Sequence, residues 1–193
     1  MRMSTGMQVG LPKQLFSDVS SYRYKVFVEQ LGWELHTQNG LELDQFDCED
    51  TYYVIAQHDN GEIAGCARLL PTTVPYLLGE IFPQLLNGLL PPSSSEVWEL
   101  SRFASVDLSG QGVRGGQFSS PVAVELLKAA MACAKAQGAK RLITVSPVGV
   151  ERLMQRAGFR CRRAGPPMIV GGHALTACWI DLDNDDDVEN QNE

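Results

Sequence analysis

The strongest helix signal in the chain, Ser119 to Gln137, sits between two strand-like runs, Glu96 to Ala104 and Arg141 to Ser146. Pro121 falls in its first turn and Gly138 closes it. Upstream, Thr51 to Gln57 and Glu62 to Leu70 flank Asp59-Asn60-Gly61, and Asn-Gly is a strong tight-turn signal. Pro12 to Leu31 reads as a first helix, with Leu15, Val19, Tyr22 and Val26 at core spacing and Gly32 ending the pattern. Tyr76 to Leu90 suggests short helical pieces broken by Pro83. Val148 to Ala157 is a helix, and two last strands lie near Met168 to Val170 and His173 to Asp181. This order predicts a mixed sheet covered by helices on both faces, a three-layer α/β/α sandwich. Residues 1–182 are read as one domain. Trp33 to Asp50 has no steady period and is expected to be a long ordered loop.

Charge is unevenly placed. Asp181 to Glu193 holds seven acidic residues, and 183–193 is expected to be a disordered tail. The rest of the chain is balanced, yet Lys140 to Arg163 carries seven basic residues against Glu151 alone. An acidic partner could dock there, or the stretch is an ordinary solvated face. No run of about 18 apolar residues occurs, so no membrane span is expected. The N-terminus has no pattern of a secretory signal. The five cysteines include no C-x-x-C pair, which suits free thiols in a reducing cytoplasm. His36, His58 and His173 are scattered, and Asp44, Asp47, Glu49 and Asp50 lack calcium-loop spacing, so no metal site is expected.

Three groups could carry chemistry. Arg23 and Phe27 share one flank of the first helix, with Trp33 just beyond it. Asp44 and Asp47 combine with Arg68. Glu99 and Arg102 lie in Trp98-Glu99-Leu100-Ser101-Arg102-Phe103. A ligand with a sulfonium, an ammonium, a carboxylate and a purine needs carboxylates, a guanidinium and aromatic faces, and the first two groups supply all three. The plain alternatives are core packing for Phe27 and Trp33, turn caps for Asp44 and Asp47, and a boundary ion pair for Arg23. Glu99 is the sharper clue, because an unpartnered carboxylate in an apolar strand is costly. Strict alternation places Val97, Glu99, Ser101 and Phe103 on one face, with Trp98, Leu100 and Arg102 on the other. A β-bulge near Ser101 would re-aim them. The alternative is a buried structural Glu–Arg pair. Gln111 to Gly116 precedes a helix but fits the acyl-CoA pyrophosphate loop poorly.

Taken together, Arg23, Phe27, Trp33, Asp44, Asp47, Arg68, Glu99 and Arg102, with Phe82 as a further aromatic, resemble the pattern of the acyl-homoserine lactone synthases, the LuxI-type family. The segments Val26 to Trp33, Cys66 to Thr73 and Trp98 to Ala104 carry the likeness, which spans about residues 12–182. The resemblance implies a GNAT-like fold and a cytoplasmic enzyme. It would make an N-acyl-L-homoserine lactone from S-adenosylmethionine and an acyl thioester on acyl carrier protein or coenzyme A, releasing 5'-methylthioadenosine. It implies that Arg23, Phe27, Trp33, Asp44, Asp47, Arg68 and Phe82 serve the S-adenosylmethionine end, with Ser101 and Phe103 beside them. Glu99 would be the base, with Arg102 next to it, and Leu142, Thr144 and Met154 would line the acyl pocket. Thr144 would favour a 3-oxo chain, although threonine also simply suits a strand. No cofactor, metal, nucleic acid or membrane is implied, S-adenosylmethionine being a substrate. The alternatives are a GNAT-type N-acetyltransferase and a non-catalytic binding module on the same fold.

Overall fold

The computed structural model describes residues 1–108 and 121–182. The acidic tail at 183–193 and the Gln111 to Gly116 motif lie outside the described residues. In chain order the elements are β1 (Arg2–Met7), α1 (Lys13–Arg23), a π-helical segment (Tyr24–Gln30), β2 (Thr37–Gln38), β3 (Leu41–Glu42), β4 (Tyr52–Gln57) and β5 (Ile63–Pro71). Then come α2 (Leu77–Ile81), a 3-10 turn (Pro83–Leu86), β6 (Val97–Ala104), α3 (Pro121–Ala136), β7 (Arg141–Pro147), α4 (Val150–Arg156), β8 (Cys161–Arg163), β9 (Met168–Val170) and β10 (His173–Asp181). The main sheet runs β1-β4-β5-β6-β7-β10-β8, with β9 also on β10. Among the described residues only β6 and β7 pair in parallel, and α3 lies in the crossover between them.

One face of the sheet packs under α3 and α4. Leu69, Leu100, Leu126, Leu142 and Ile180 form the heart of that core. The other face carries two smaller clusters, one under α1 around Val19, Tyr22 and Ile55, and one under α2 and the 3-10 turn around Leu78, Leu85 and Ile143. Helices on both faces of a mixed sheet are the expected three layers.

Three local readings need correction. The first helix is not uniform: after Arg23 it widens to π geometry, with the Leu31 amide bonded to the Val26 carbonyl. Such segments are rare and cluster at functional sites. The stretch 33–50 is not featureless, since β2 and β3 form a small hairpin about Asn39 and Gly40, both at positive φ (52° and 74°). Residues 2–7 form an edge strand for which periodicity gave no warning. The β4–β5 turn is where Asn-Gly placed it, with Gly61 at φ 89°.

Candidate active site

The site is built on β6. Up to Ser101 its side chains alternate as a flat strand requires: Trp98 and Leu100 enter the α3 core, while Val97 joins the opposite cluster. The register then slips. Arg68 of β5 faces Ser101 but Cys66 faces Ala104, so β6 fits one extra residue into that interval. Arg102 takes up the slack at φ 50°, a conformation that costs a non-glycine residue about 1–3 kcal/mol. Phe103 consequently swings into the α3 core, and Arg102 comes round to the face of Glu99 and Ser101. The bulge thus corrects the strict alternation for both residues. Close pairing past the bulge also requires Gly65, where a Cβ would stand 2.8 Å from the Ala104 carbonyl oxygen.

On that face three arginines meet three carboxylates. Arg23 Nε donates to Glu42 at 2.6 Å, and Arg102 Nη2 donates to the same carboxylate at 2.8 Å and to Asp44 at 2.7 Å. Arg68 Nη1 donates to Asp44 at 2.5 Å and to Asp47 at 3.0 Å, and Asp47 receives both terminal nitrogens of Arg23 at 2.7 and 3.0 Å. Followed in order, Arg23, Glu42, Arg102, Asp44, Arg68 and Asp47 close a ring of alternating charge. All six are nearly or fully buried, Asp44 at 11% being the most exposed. The Tyr53 hydroxyl donates to Asp47, and the Ser101 hydroxyl accepts from Arg68 Nε at 3.0 Å. Burial disfavours the charged forms, but the opposite charges outweigh it. Arg23 is held above its ordinary pKa by Asp47 and Glu42, while Asp47 and Glu42 are held below the usual carboxylate range by their arginines.

Glu99 is different. It is fully buried, and it accepts the Leu77 and Leu78 amides at 3.1 and 2.6 Å, so it caps the start of α2. Among the described residues no arginine is in ion-pair contact with it, which sets aside the literal Glu–Arg pair. Burial raises its pKa, partly opposed by the two amides and by Arg68. The buried thiols are no rival nucleophiles, since burial pushes Cys66 and Cys178 up to about 12 and Cys161 to about 11.

The β6–β7 pairing ends at Leu100 and Thr144. Beyond it, a narrow cavity of about 50 Å³ opens between Ser101 to Phe103 on one strand and Val145 to Pro147 on the other. Phe27, Trp33, Phe82, Thr144 and Met154 also line it. The Phe27 and Trp33 rings are 5.7 Å apart, and the Arg102 guanidinium lies 5.7 Å from the Phe27 ring. Arg102 Nη1 has no hydrogen-bond partner among the described residues. A wider cavity of about 460 Å³ adjoins this one and shares Trp33, Phe82 and Leu175, with His173 packed on Trp33 at 5.7 Å.

The expected site residues therefore separate. Phe27, Trp33, Phe82, Ser101, Arg102, Phe103, Thr144 and Met154 line the cavity. Arg23, Asp44, Asp47, Arg68 and Glu99 do not: the first four face one another with Arg102 as their link to it, and Glu99 sits behind Ser101 on the α2 amides. Leu142 belongs to the α3 core and is not among the lining residues, because it lies in the paired part of β7. Glu42, Leu127, Ser146 and Leu175 escaped the sequence reading. For Glu42 the signal was its place between Leu41 and Leu43, a carboxylate in an apolar context.

Within 140–163, Lys140, Arg141, Arg152, Arg156, Arg160 and Arg162 are exposed. Arg163 pairs with Glu151 at 2.6 Å, and Lys140 pairs with Glu96 at 2.6 Å. Among the described residues no helix is long and apolar enough to cross a membrane.

Residues 10–190 match the family model described as autoinducer synthase. A relative from Acinetobacter nosocomialis named acyl-homoserine-lactone synthase is 57% identical over 183 residues, covering 94% of this chain and all of that protein. The crystal structure of TofI in a ternary complex with an inhibitor and MTA superposes with TM-score 0.82 at 44% identity, covering 95% of this chain and 92% of the other. The CoA-dependent acyl-homoserine lactone synthase BjaI, solved with SAM and isopentyl-CoA, superposes with TM-score 0.82 at 26% identity, covering 94% and 83%. An N-acetyltransferase structure from Lactobacillus plantarum, at 15% identity, TM-score 0.61 and coverage of 94% and 99%, shares the fold alone, as the expected GNAT-like architecture requires.

Proposed function

This chain belongs to the autoinducer synthase family, and from that premise we propose that it joins an acyl thioester to S-adenosylmethionine to make an N-acyl-L-homoserine lactone. The observation that carries this reading is the cavity through the parted strands. Its one side offers Phe27, Trp33, Phe82 and Arg102, and its other offers the apolar Leu100, Leu127 and Met154. The aromatic faces suit a sulfonium and a purine. Arg102 Nη1 suits the substrate carboxylate. The other five members of the charged ring fix the guanidinium of Arg102 in place, so Arg23, Asp44, Asp47 and Arg68 support the site through Arg102.

The amine of S-adenosylmethionine attacks the thioester carbonyl. The C–N bond forms, the C–S bond breaks, and the thiol departs. Glu99 takes the amine proton by way of Ser101 or a bound water and returns it to the departing sulfur, and burial, which raises its pKa, strengthens it as a base. The carboxylate then displaces methylthioadenosine at the carbon bearing the sulfonium and closes the lactone, a step that needs mainly positioning. No acyl-enzyme, metal or further cofactor enters this scheme. The acyl group arrives on the phosphopantetheine of acyl carrier protein, whose acidic surface complements the exposed arginines of 152–162, and the reaction runs in the cytoplasm. Thr144 on the acyl side suits a medium-length 3-oxo chain.

The test is incubation of the purified chain with S-adenosylmethionine and acyl-carrier protein. Release of methylthioadenosine together with a lactone seen by mass spectrometry is expected. Turnover of acetyl-CoA without methylthioadenosine would identify an acetyltransferase instead, and no turnover of any donor would identify a binding module.

A further inference from the structure

The acyl side of the cavity is apolar except for two hydroxyls on one strand, Thr144 and Ser146. Two residues apart on β7, they face the same side of the sheet, about 6.8 Å from one another. That side is the one where Leu142, the next residue in the same alternation, enters the α3 core. The Ser101 hydroxyl is already engaged by Arg68. Thr144 reaches only the Val145 carbonyl, at 3.5 Å, the outer limit of a hydrogen bond. Ser146 is 4% exposed, and its hydroxyl has no partner among the described residues. Thr176, directly across β10, turns its own hydroxyl to Gly165 and Ala177. The Ser146 hydroxyl is not sealed in: its oxygen keeps accessible surface where the residue lines the cavity, so it is free to bond a ligand there.

We infer that Ser146 is a second selectivity residue of the acyl pocket, acting with Thr144 on an oxygen substituent of the chain close to its thioester end. The inference rests on the synthase reading above. The level of Ser146 fixes the place. Strand pairing ends at Leu100 and Thr144, and Ser146, two residues further along, lines the parted stretch together with Ser101 and Arg102. One oxygen lying between the two hydroxyls is within reach of both. A keto oxygen accepts from each, and a hydroxyl accepts from one while donating to the other.

The experiment is a competition among three acyl-carrier donors of equal length, plain, 3-oxo and 3-hydroxy, with lactones counted by mass spectrometry. Wild type is expected to favour an oxygenated donor. In Ser146→Ala that preference should fall about tenfold relative to the plain donor, and Ser146→Thr should retain it. Adding Thr144→Val should lower it by less than the product of the two single effects, because both hydroxyls hold one oxygen. Whichever oxygenated donor loses most names the substituent. An unchanged product ratio in a Ser146→Ala protein of wild-type melting temperature overturns the inference, as does an equal loss on all three donors or a wild type that favours the plain chain. If wild type forms no lactone and releases no methylthioadenosine, the synthase reading itself fails, and this inference with it. Lactones made in an unaltered ratio overturn the inference alone.

Discussion

Glu42→Gln removes one negative charge from the ring and leaves three buried guanidinium groups facing two carboxylates. The side chain keeps its size, and its one remaining oxygen still accepts a bond. Its new NH2 group, however, meets Arg23 Nε or the Arg102 fork, donor against donor. Breaking a buried ion pair from one side costs about 3–5 kcal/mol. The lower end applies here, because Arg23 retains Asp47 and Arg102 retains Asp44. About 3 kcal/mol in a chain of this size corresponds to a melting temperature lower by about 6–12 °C. Calorimetry at neutral pH measures it directly. Salt should change the difference little, since the six groups are screened poorly at such burial. Combining Glu42→Gln with Arg23→Gln should destabilise less than the two singles together. A single variant that melts within about 2 °C of wild type would refute the view that the ring holds the fold together.

Glu99→Gln should cut lactone synthesis by about 10²–10⁴ and should also lower the melting temperature, since the glutamine NH2 group meets one of the two α2 amides donor against donor; near-normal turnover in the folded variant removes Glu99 as the base. Asp47 and Glu42 have folded pKa values below their unfolded ones, so their contribution is complete above the ordinary carboxylate range of about 4 and is lost as pH falls through the folded values. Glu99 has the opposite sign, its raised pKa withdrawing stability as pH rises from the ordinary range through the folded value. Melting temperature against pH should therefore fall steeply on the acid side, and Glu99→Gln should flatten the decline on the other; a level profile below pH of about 4 contradicts the first point. Reversing Arg160 and Arg162 to Glu should raise KM for acyl-carrier protein more than for a small acyl-pantetheine, with high salt mimicking the change. Equal effects on both donors count against the docking face.

The sheet was legible wherever two periods met a turn signal, as at the Asn60-Gly61 hairpin and at the helix between β6 and β7. The bulge was anticipated near Ser101 because Glu99 and Arg102 could not otherwise share a face. Its outcome, Arg102 crossing over and Phe103 crossing back, needed the register with β5. β1 was invisible because its mixture of Arg2, Met3, Ser4, Thr5, Gly6 and Met7 alternates in neither size nor polarity. The π segment was hidden because its residues also satisfy α spacing. Charge type marked Arg23, Asp44, Asp47 and Arg68 as ligands for a charged substrate, and the likeness to a known family pointed the same way. Neither could reveal that these groups satisfy one another. Glu42, which completes their ring, meets Arg23 from 19 positions away and Arg102 from 60. Only the folded chain shows that meeting. Leu142 was assigned to the pocket from its strand, yet the cavity begins where that strand leaves its neighbour.

The closed ring also bears on descent. Any one replacement that removes a charge from its six members strands an odd charge in the interior, so a lineage that drifts away from this arrangement has to change ring neighbours together, or pass through a weakened ancestor. A relative that has lost Arg23 is expected to differ at Glu42 or Asp47 as well, and one that has lost Asp44 at Arg68 or Arg102. Shared possession of these six positions is then a mark of shared folding demands, and it says less about shared chemistry than the aromatic and hydroxyl residues around the cavity, which are free to vary one at a time.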